Sequence, residues 1–233
     1  MRHFPLLLAF AVLLAAVPAA GRGFGTPKAP EGSASFLAAG GGIGAAMGRF
    51  LKGAELDYGV EWGYSASVWE SYHYNYTSPS GARIDTRDRH FSYKSNGHLY
   101  GFAGIRFARH FAADALIGWA GIYEGRRVVP VTLRASCFWK GYDRDGWKAF
   151  LEGGRCGARS FAGKPVYVAK LGTGYRMMLD RRFALDLAMS LQGAYDHPLD
   201  VYDKGREEAV PDANLRRSDS GYLSLNFSLA LCF

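Results

Sequence analysis

The sequence lacks an apolar run long enough to cross a membrane as a helix. Its longest apolar run, at residues 6–16, has about 11 residues, whereas a spanning helix needs about 20. The sequence therefore predicts no helical membrane anchor. The basic residues Arg2 and His3 precede this run, and small residues follow it at 17–20. This arrangement is typical of a secretory signal peptide, which we expect at residues 1–20.

Cysteine is also scarce. The chain has three cysteines, Cys137, Cys156 and Cys232, and an odd number cannot pair completely. They fall on different predicted strands, so we expect no disulfide even in the oxidising compartment that an exported protein meets. The formal charge of +7 would suit nucleic acid, but an exported chain meets none, so we expect no nucleic-acid partner.

Alternation of apolar and polar residues is the most regular pattern in the sequence, and it is clearest at residues 221–233. A period of two places successive side chains on opposite faces of a β-strand. One face of this segment carries only apolar side chains: Leu223, Leu225, Phe227, Leu229, Leu231 and Phe233. The other face carries small and polar side chains, which predicts a strand with one face in lipid and the other in a protein interior.

Seven more segments repeat this alternation, and each is a predicted strand: 56–70, 98–107, 111–124, 129–139, 147–158, 166–178 and 183–195. Short links, at 108–110, 140–146 and 179–182, alternate with longer ones, of which 71–95 and 196–220 are the longest. The sequence therefore predicts an all-β fold, an eight-stranded antiparallel up-and-down transmembrane β-barrel with short periplasmic turns and longer external loops. We expect the barrel domain at residues 53–233.

The predicted inward face carries ten charged side chains, five acidic and five basic: Asp57, Glu61, Arg106, Asp114, Arg134, Lys148, Glu152, Lys170, Arg176 and Asp186. Turns that close symmetrically would place Arg106 opposite Asp114, Arg176 opposite Asp186 and Arg134 opposite Glu152. An unpaired buried charge costs several kcal/mol, so such pairing suits a narrow, dry interior. Because eight strands leave room only for side chains, we expect a filled lumen and no diffusion pore.

Aromatic side chains on the predicted outward face form a further set: Trp62, Trp119, Tyr123, Trp139, Trp147, Tyr175 and Tyr195. Tryptophan and tyrosine are enriched where a membrane meets water, because their rings are amphipathic. We expect these residues to form the aromatic girdles of a membrane barrel.

Three features together carry a family resemblance: the signal sequence, the Gly-Thr-Gly-Tyr-Arg hairpin pattern at 172–176, and the terminal Ser-Leu-Ala-Leu-Cys-Phe at 228–233. The chain resembles the outer-membrane β-barrel domain family, which is porin-like, and in shape the small eight-stranded barrel of the OmpA type. The resemblance implies the outer membrane of a gram-negative bacterium, with a role in envelope integrity, adhesion or surface binding. It implies no activity.

The same resemblance implies the partners of the chain. Phe227, Leu229, Leu231 and Phe233 look like the signal read by the machinery that inserts outer-membrane barrels. The other expected partners are the lipid bilayer, lipopolysaccharide and an unidentified surface ligand, with the barrel itself a monomer. Apart from the resemblance, a set of arginines is a candidate for contact with lipopolysaccharide phosphates, with ordinary loop charge as the open alternative: Arg83, Arg87, Arg89, Arg126 and Arg127.

Two alternatives to a non-enzymatic barrel remain open. His90 and Ser92 lie two residues apart and faintly resemble the His-x-Ser of outer-membrane lipid A deacylases, so the first alternative is a lipid A-modifying esterase. The second is a soluble exported lipocalin-like ligand binder, which requires apolar residues to point inward. Neither alternative uses a cofactor, and we expect no metal site, because the acidic residues between 196 and 212 fit no known metal-binding loop.

Residues 21–52 do not fit the strand pattern. Glycine and proline are frequent at 21–32, and the glycines at 40–48 weaken any helix at 33–51. We expect a periplasmic N-terminal lead, with an additional strand or a helix at 33–51 as open alternatives.

Overall fold

A computed structural model describes residues 55–78, 81–123, 125–180, 183–203 and 208–233. The predicted signal peptide and N-terminal lead lie outside the described residues. The strands are β1 (Glu55–Thr77), β2 (Arg83–Ala108), β3 (Phe111–Tyr123), β4 (Arg126–Phe138), β5 (Gly146–Gly157), β6 (Val166–Met178), β7 (Ala184–Asp196), β8 (Tyr202–Asp203), β9 (Glu208–Ala209) and β10 (Leu215–Cys232). Short 3-10 helices occur at Phe161–Gly163 and Asp212–Asn214. Within the described part of the chain, no helix is long and apolar enough to span a membrane.

Eight of these strands form one closed antiparallel barrel in the order β1-β10-β7-β6-β5-β4-β3-β2. Strands that follow one another in the chain lie side by side, and β1 pairs with β10 to close the ring. This arrangement confirms the predicted eight-stranded up-and-down barrel. Closure leaves no free sheet edge in the ring, so every strand of the barrel has a hydrogen-bonded neighbour on both sides.

The alternation of side chains places apolar groups outside the barrel and charged groups inside it. On β1, Leu56, Tyr58 and Tyr64 are exposed on the outer surface, whereas Asp57 and Glu61 between them are buried. The other strands repeat this arrangement. A soluble ligand-binding barrel would need the reverse, so the lipocalin-like alternative is wrong for this fold.

The two ends of the barrel differ. At the end where Glu55 and Phe233 lie, here called the terminal end, the strands are joined by turns at 109–110, 139–145 and 179–183. At the opposite end, the loop end, the connections are 78–82, 124–125, 158–165 and 197–214. The last of these is the longest and contains the two-stranded sheet of β8 and β9.

β1 and β2 continue as paired strands through most of residues 71–95, which the sequence predicts as a loop. In the pairing with β10, the register steps from Ser67↔Ser224 to Trp69↔Leu223. The extra residue, Val68, forms a bulge that shifts the alternation by one. Beyond the bulge, the even-numbered residues of β1 point inward. Because β1 and β2 stay paired as far as Thr77 and Arg83, the predicted loop is wrong here and the segment is an extension of the two strands.

A small apolar cluster covers the loop end. Tyr76 at the end of β1 and Leu215 at the start of β10 pack with Val201 and Val210, which flank β8 and β9. All four side chains are buried. The connection at 197–214 is therefore held against the end of the barrel by packing as well as by its chain connections.

Candidate functional site

The centre of the barrel is occupied by one arginine held between two carboxylates. Arg134 on β4 donates to Glu61 on β1 through Nη1 and Nη2, at 2.5 and 3.1 Å. It donates to Glu152 on β5 through Nε and Nη2, at 3.0 and 2.6 Å. Lys170 on β6 extends the cluster with Nζ 3.1 Å from Glu152 Oε1. All four side chains are almost fully buried.

The strand register explains why these residues meet. Directly paired residues of neighbouring strands point to the same face of a sheet. One inward-facing row runs from β1 around the barrel to β6: Asp57, Gly104, Asp114, Arg134, Glu152 and Lys170. The last three residues of the row alternate in charge, so each has an opposite charge beside it.

A second ion cluster lies nearer the terminal end. Asp186 on β7 accepts two hydrogen bonds from Arg176 on β6, at 2.7 and 2.8 Å. It also accepts a hydrogen bond from Lys148 on β5. The Arg176 guanidinium lies 3.9 Å from the centre of the Tyr142 ring. Tyr142, from the turn after β4, was missed by the sequence reasoning because strand alternation assigns no direction to turn residues.

The register corrects one predicted pair. Asp114 lies opposite Gly104, and Arg106 lies opposite Ala112, because an irregularity between Arg106 and Ala108 shifts the β2–β3 hairpin. Arg106 instead lies at the mouth of the terminal end. Its Nη1 is 3.2 Å from carboxylate oxygens of Glu55 and of Asp143.

Asp114 is left without an ion pair among the described residues, and its buried Oδ1 has no hydrogen-bond partner. It faces a cavity of about 10 Å³ lined also by Arg134, Lys148 and Arg176. That volume corresponds to about one water molecule. Side chains therefore occupy nearly all of the space at this level of the lumen.

The structure places most of the predicted girdle residues on the outer surface. Trp62, Trp119, Trp139, Trp147 and Tyr195 are exposed there. Tyr175 is half-buried against Trp147, with ring centres 5.5 Å apart. The outward prediction for Tyr123 is wrong. A bulge between Gly121 and Tyr123 turns its ring inward, where it stacks on the buried Tyr222 ring with centres 4.9 Å apart.

The C-terminal residues predicted as an insertion signal lie on the outer face of β10. Phe227 is exposed, and Leu229, Leu231 and Phe233 are half-buried. Phe233 closes the ring at the terminal end, since its N–H donates to the carbonyl oxygen of Tyr58 on β1 at 2.8 Å. The rings of Phe233 and Tyr58 stack with centres 5.8 Å apart.

His90 and Ser92 do not form a nucleophile–base pair within the described structure. Both face inward on the extension of β2, but the His90 imidazole lies 3.3 Å from the Glu70 carboxylate. The Ser92 hydroxyl instead lies 3.3 Å from the hydroxyl of Tyr123. Activation of a serine requires a base within hydrogen-bond reach of its hydroxyl, and here that contact is made by a tyrosine.

The predicted lipopolysaccharide-binding arginines separate into two groups. Arg126 points into the loop end, where it forms a bidentate pair with the fully buried Asp196 at 2.7 and 2.9 Å. The other arginines lie on the outside. Arg127 covers the Trp119 ring at 5.1 Å, and the Nε of Arg83 donates to Asn75 Oδ1 at 3.3 Å.

The remaining two arginines of the set, Arg87 and Arg89, lie on β2. Arg87 and Arg89 are exposed on the same outer surface as Arg83. Asp85 beside them accepts a hydrogen bond from His73 at 2.8 Å, and this bond lowers the pKa of the Asp85 carboxyl below its ordinary value of 3.8. Within the part of the chain that the structure describes, no group of three or more His, Cys, Asp or Glu side chains could hold a metal ion.

No protein-family model matches the chain, and no curated protein matches its sequence. Among solved structures, it is similar to the outer membrane protein OprG from Pseudomonas aeruginosa, with 11% identity, a TM-score of 0.42, and coverage of 76% of this chain and 95% of that chain. It is similar to Ail, the attachment invasion locus protein of Yersinia pestis, solved with the heparin analogue sucrose octasulfate (12% identity, TM-score 0.31, 77% and 99% coverage). It is also similar to the outer membrane protease OmpT from Escherichia coli (6% identity, TM-score 0.32, 76% and 96% coverage).

The geometry of the barrel defines its class. A lipid-exposed sheet must close on itself, because hydrocarbon offers no partner to a free backbone edge. Here an even number of antiparallel strands closes into one ring, with apolar side chains outside and paired charges inside. These are the properties of barrels that span outer membranes. The chain is a transmembrane β-barrel of the outer-membrane type.

Proposed function

We propose that the protein is an integral outer-membrane barrel with a filled, non-conducting interior and no catalytic activity. Its role is then structural support of the envelope or binding at the outer surface, through the loop end and the strand extensions. The observation that carries this proposal is the buried cluster of Arg134, Glu61 and Glu152 at the centre of the lumen.

The energetics of that cluster favour a static interior. Arg134 makes four hydrogen bonds to two carboxylates, and Lys170 balances the second carboxylate. Removing one member of a buried pair costs about 3–5 kcal/mol, because the remaining charge stays buried. A conducting path through this level would require the cluster to separate, and each separated pair would meet that cost.

The proposed surface role is supported by the position of the long connections between strands. The terminal end has turns of a few residues, whereas the loop end carries the β1–β2 extension and the 197–214 connection. Binding residues of a rigid scaffold are found disproportionately on such connections. In the outer membrane, the loop end would face the cell exterior.

Conductance in planar lipid bilayers tests the filled lumen. We expect no steady single-channel current from the refolded protein, because the Arg134 cluster blocks the centre. Arg134→Ala should remove four hydrogen bonds, lower the free energy of unfolding by about 3–5 kcal/mol, and introduce transient currents.

Arg159→Ala is the matched control, since Arg159 lies on the 158–165 connection and forms an exposed pair with Asp212 at 3.1 Å. Exposed pairs contribute about 0–1 kcal/mol, so this variant should unfold and conduct like the original protein. Large, steady currents from the unmodified barrel would contradict the proposal.

A further inference from the structure

The outer surface of the barrel changes in character along the extension of β2. Phe91 lies opposite Trp69 of β1, and Phe91 and Tyr93 are 88% and 79% exposed. Two and four residues further towards the loop end, Arg89 and Arg87 are exposed on the same face. A strand rises about 3.4 Å per residue, so the two arginines lie about 7 Å and about 14 Å beyond Phe91 along the strand.

The carboxylates of Asp85 and Asp88 lie beside these arginines on β2, and each accepts a hydrogen bond from a group other than a guanidinium. Arg87 Nη2 donates to His73 Nδ1 at 3.2 Å, and His73 Nε2 in turn donates to Asp85 at 2.8 Å. The hydrogen bond of Asp85 therefore goes to His73 and not to Arg89.

Arg89 has no ion pair to its guanidinium within the described residues. Its backbone N–H donates to Asp88 Oδ1 at 2.7 Å, and the other Asp88 oxygen lies 3.4 Å from His90, which faces inward. Among the described residues, the exposed Arg89 guanidinium therefore keeps donors available for a ligand, about 7 Å along the strand from the exposed Phe91.

We propose that Arg87 and Arg89 bind the phosphate groups of lipid A in the outer leaflet, while Phe91 and Tyr93 lie against its acyl chains; these four residues are here called the phosphate face. The inference rests on the proposed outer-membrane location. Tyrosine rings such as that of Tyr93 are enriched at the boundary between hydrocarbon and head groups. A guanidinium about 7–14 Å further along the strand towards the loop end is at the level of the lipid phosphates. It can donate two parallel hydrogen bonds to a phosphate.

The structure narrows this role to particular arginines. Arg126 is excluded because its guanidinium is paired with the buried Asp196. Arg127 lies over the Trp119 ring. Arg83 is eight residues from Phe91 on β2, about 27 Å along the strand, and so lies far from the exposed rings. Among the five arginines that the sequence suggests for this role, Arg87 and Arg89 combine exposure with a position directly above outward aromatic rings.

Calorimetric titration of the refolded full-length protein in zwitterionic micelles with purified lipid A tests the proposal. A basic residue near an anionic surface contributes roughly fivefold in affinity. The double variant Arg87→Gln/Arg89→Gln should therefore bind lipid A about 30-fold more weakly. Lipid A stripped of its phosphates should bind the original protein as weakly as the intact lipid binds the variant.

Lys140→Gln/Arg144→Gln is the matched control. It removes the same charge from exposed positions in a turn of the terminal end, so it should leave the affinity for lipid A unchanged. Arg87→Lys/Arg89→Lys keeps the charge without the bidentate fork and should recover only part of the lost affinity.

Equal affinity of the original protein and the glutamine variant would overturn the proposal. So would equal binding of intact and phosphate-free lipid A, or a response to a sulfated polysaccharide with none to lipid A. Insertion is measured in parallel by the heat-dependent shift of the barrel on gels. A protein that inserts but ignores the phosphates contradicts this inference alone, whereas failure to insert contradicts the proposed function.

Discussion

Gly104 illustrates how single residues set the packing inside this barrel. It lies on β2 opposite Asp114, whose Oδ1 would be 2.3 Å from an added Cβ. The carbonyl oxygen of Ala113 would be 2.2 Å from the same atom. Because Gly104 has no side chain, the Asp114 carboxylate can lie against it, at a level where the lumen has almost no free volume.

Gly104→Ala should therefore destabilise the barrel. A buried methyl group without space costs about 1–3 kcal/mol, and here it would push against backbone as well as carboxylate. Gly101→Ala, on the same strand, is the control, because an added Cβ there has no atom within 4 Å and faces outward. Urea unfolding of both variants in lipid vesicles measures the difference. Equal midpoints for the two variants would contradict the explanation.

The 197–214 connection and the apolar cluster of Tyr76, Val201, Val210 and Leu215 are here called the cap of the loop end. A small number of polar contacts adds to this cluster. His197 directly follows the buried Asp196 and lies 2.9 Å from Asp219 on β10. Asp219 also contacts Arg217 and Lys164, at 2.5 and 3.8 Å. These contacts connect the start of the 197–214 connection to the strand at which it ends.

The charge of Asp219 should make this cap sensitive to acid. Burial opposes its ionisation, but the hydrogen bond from Arg217, with the charges of Arg217, Lys164 and His197, lowers its pKa below the ordinary 3.8. A lowered pKa in the folded state means that Asp219 stabilises the cap above about pH 4 and ceases to do so as the pH falls through the lowered value.

Methyl resonances of Val201 and Val210, which lie in the apolar cluster of the cap, report this change. In the original protein they should shift as the pH falls below about pH 4. In Asp219→Asn the acid-dependent shift should disappear. A transition of equal size in both proteins would assign the response to another group.

At the scale of the barrel, exposed apolar side chains form the outer surface, and buried ion pairs and a buried apolar cluster fill the interior. Both depend on closure of β1 onto β10, and Phe233 lies at the end of that seam. Its ring contacts Tyr58 and Phe183, with centres 5.8 and 5.6 Å apart. The same ring is part of the terminal pattern that resembles an insertion signal.

Phe233→Ala should lower the amount of barrel that reaches the outer membrane by several-fold, because it removes the terminal aromatic and its packing at the seam. Cell fractionation followed by gel electrophoresis of heated and unheated samples measures the assembled fraction. Phe111→Ala removes an outward ring near the same end of the barrel and should assemble normally. An unchanged assembled fraction in Phe233→Ala would show that the terminal ring is dispensable.

Strand number and the face of most side chains follow from local sequence. A period of two is a property of each strand alone, so the inward positions of Asp57, Glu61 and Glu152 could be predicted without knowing their neighbours. The same holds for the outward positions of Trp119 and Trp147. Register is less local, because it depends on turns and bulges that pair one strand with another.

Tertiary structure was needed where such an irregularity intervenes or where side chains meet across the lumen. A shift in the β2–β3 hairpin separates Arg106 from Asp114. One bulge turns Tyr123 inward, and another, at Val68, changes which residues of β1 face inward beyond it. The contact between Arg134 and Glu61 joins strands that are not neighbours in the barrel. Alternation fixes the direction of a side chain but not its height or its partner, because those depend on how all eight strands are staggered around the ring.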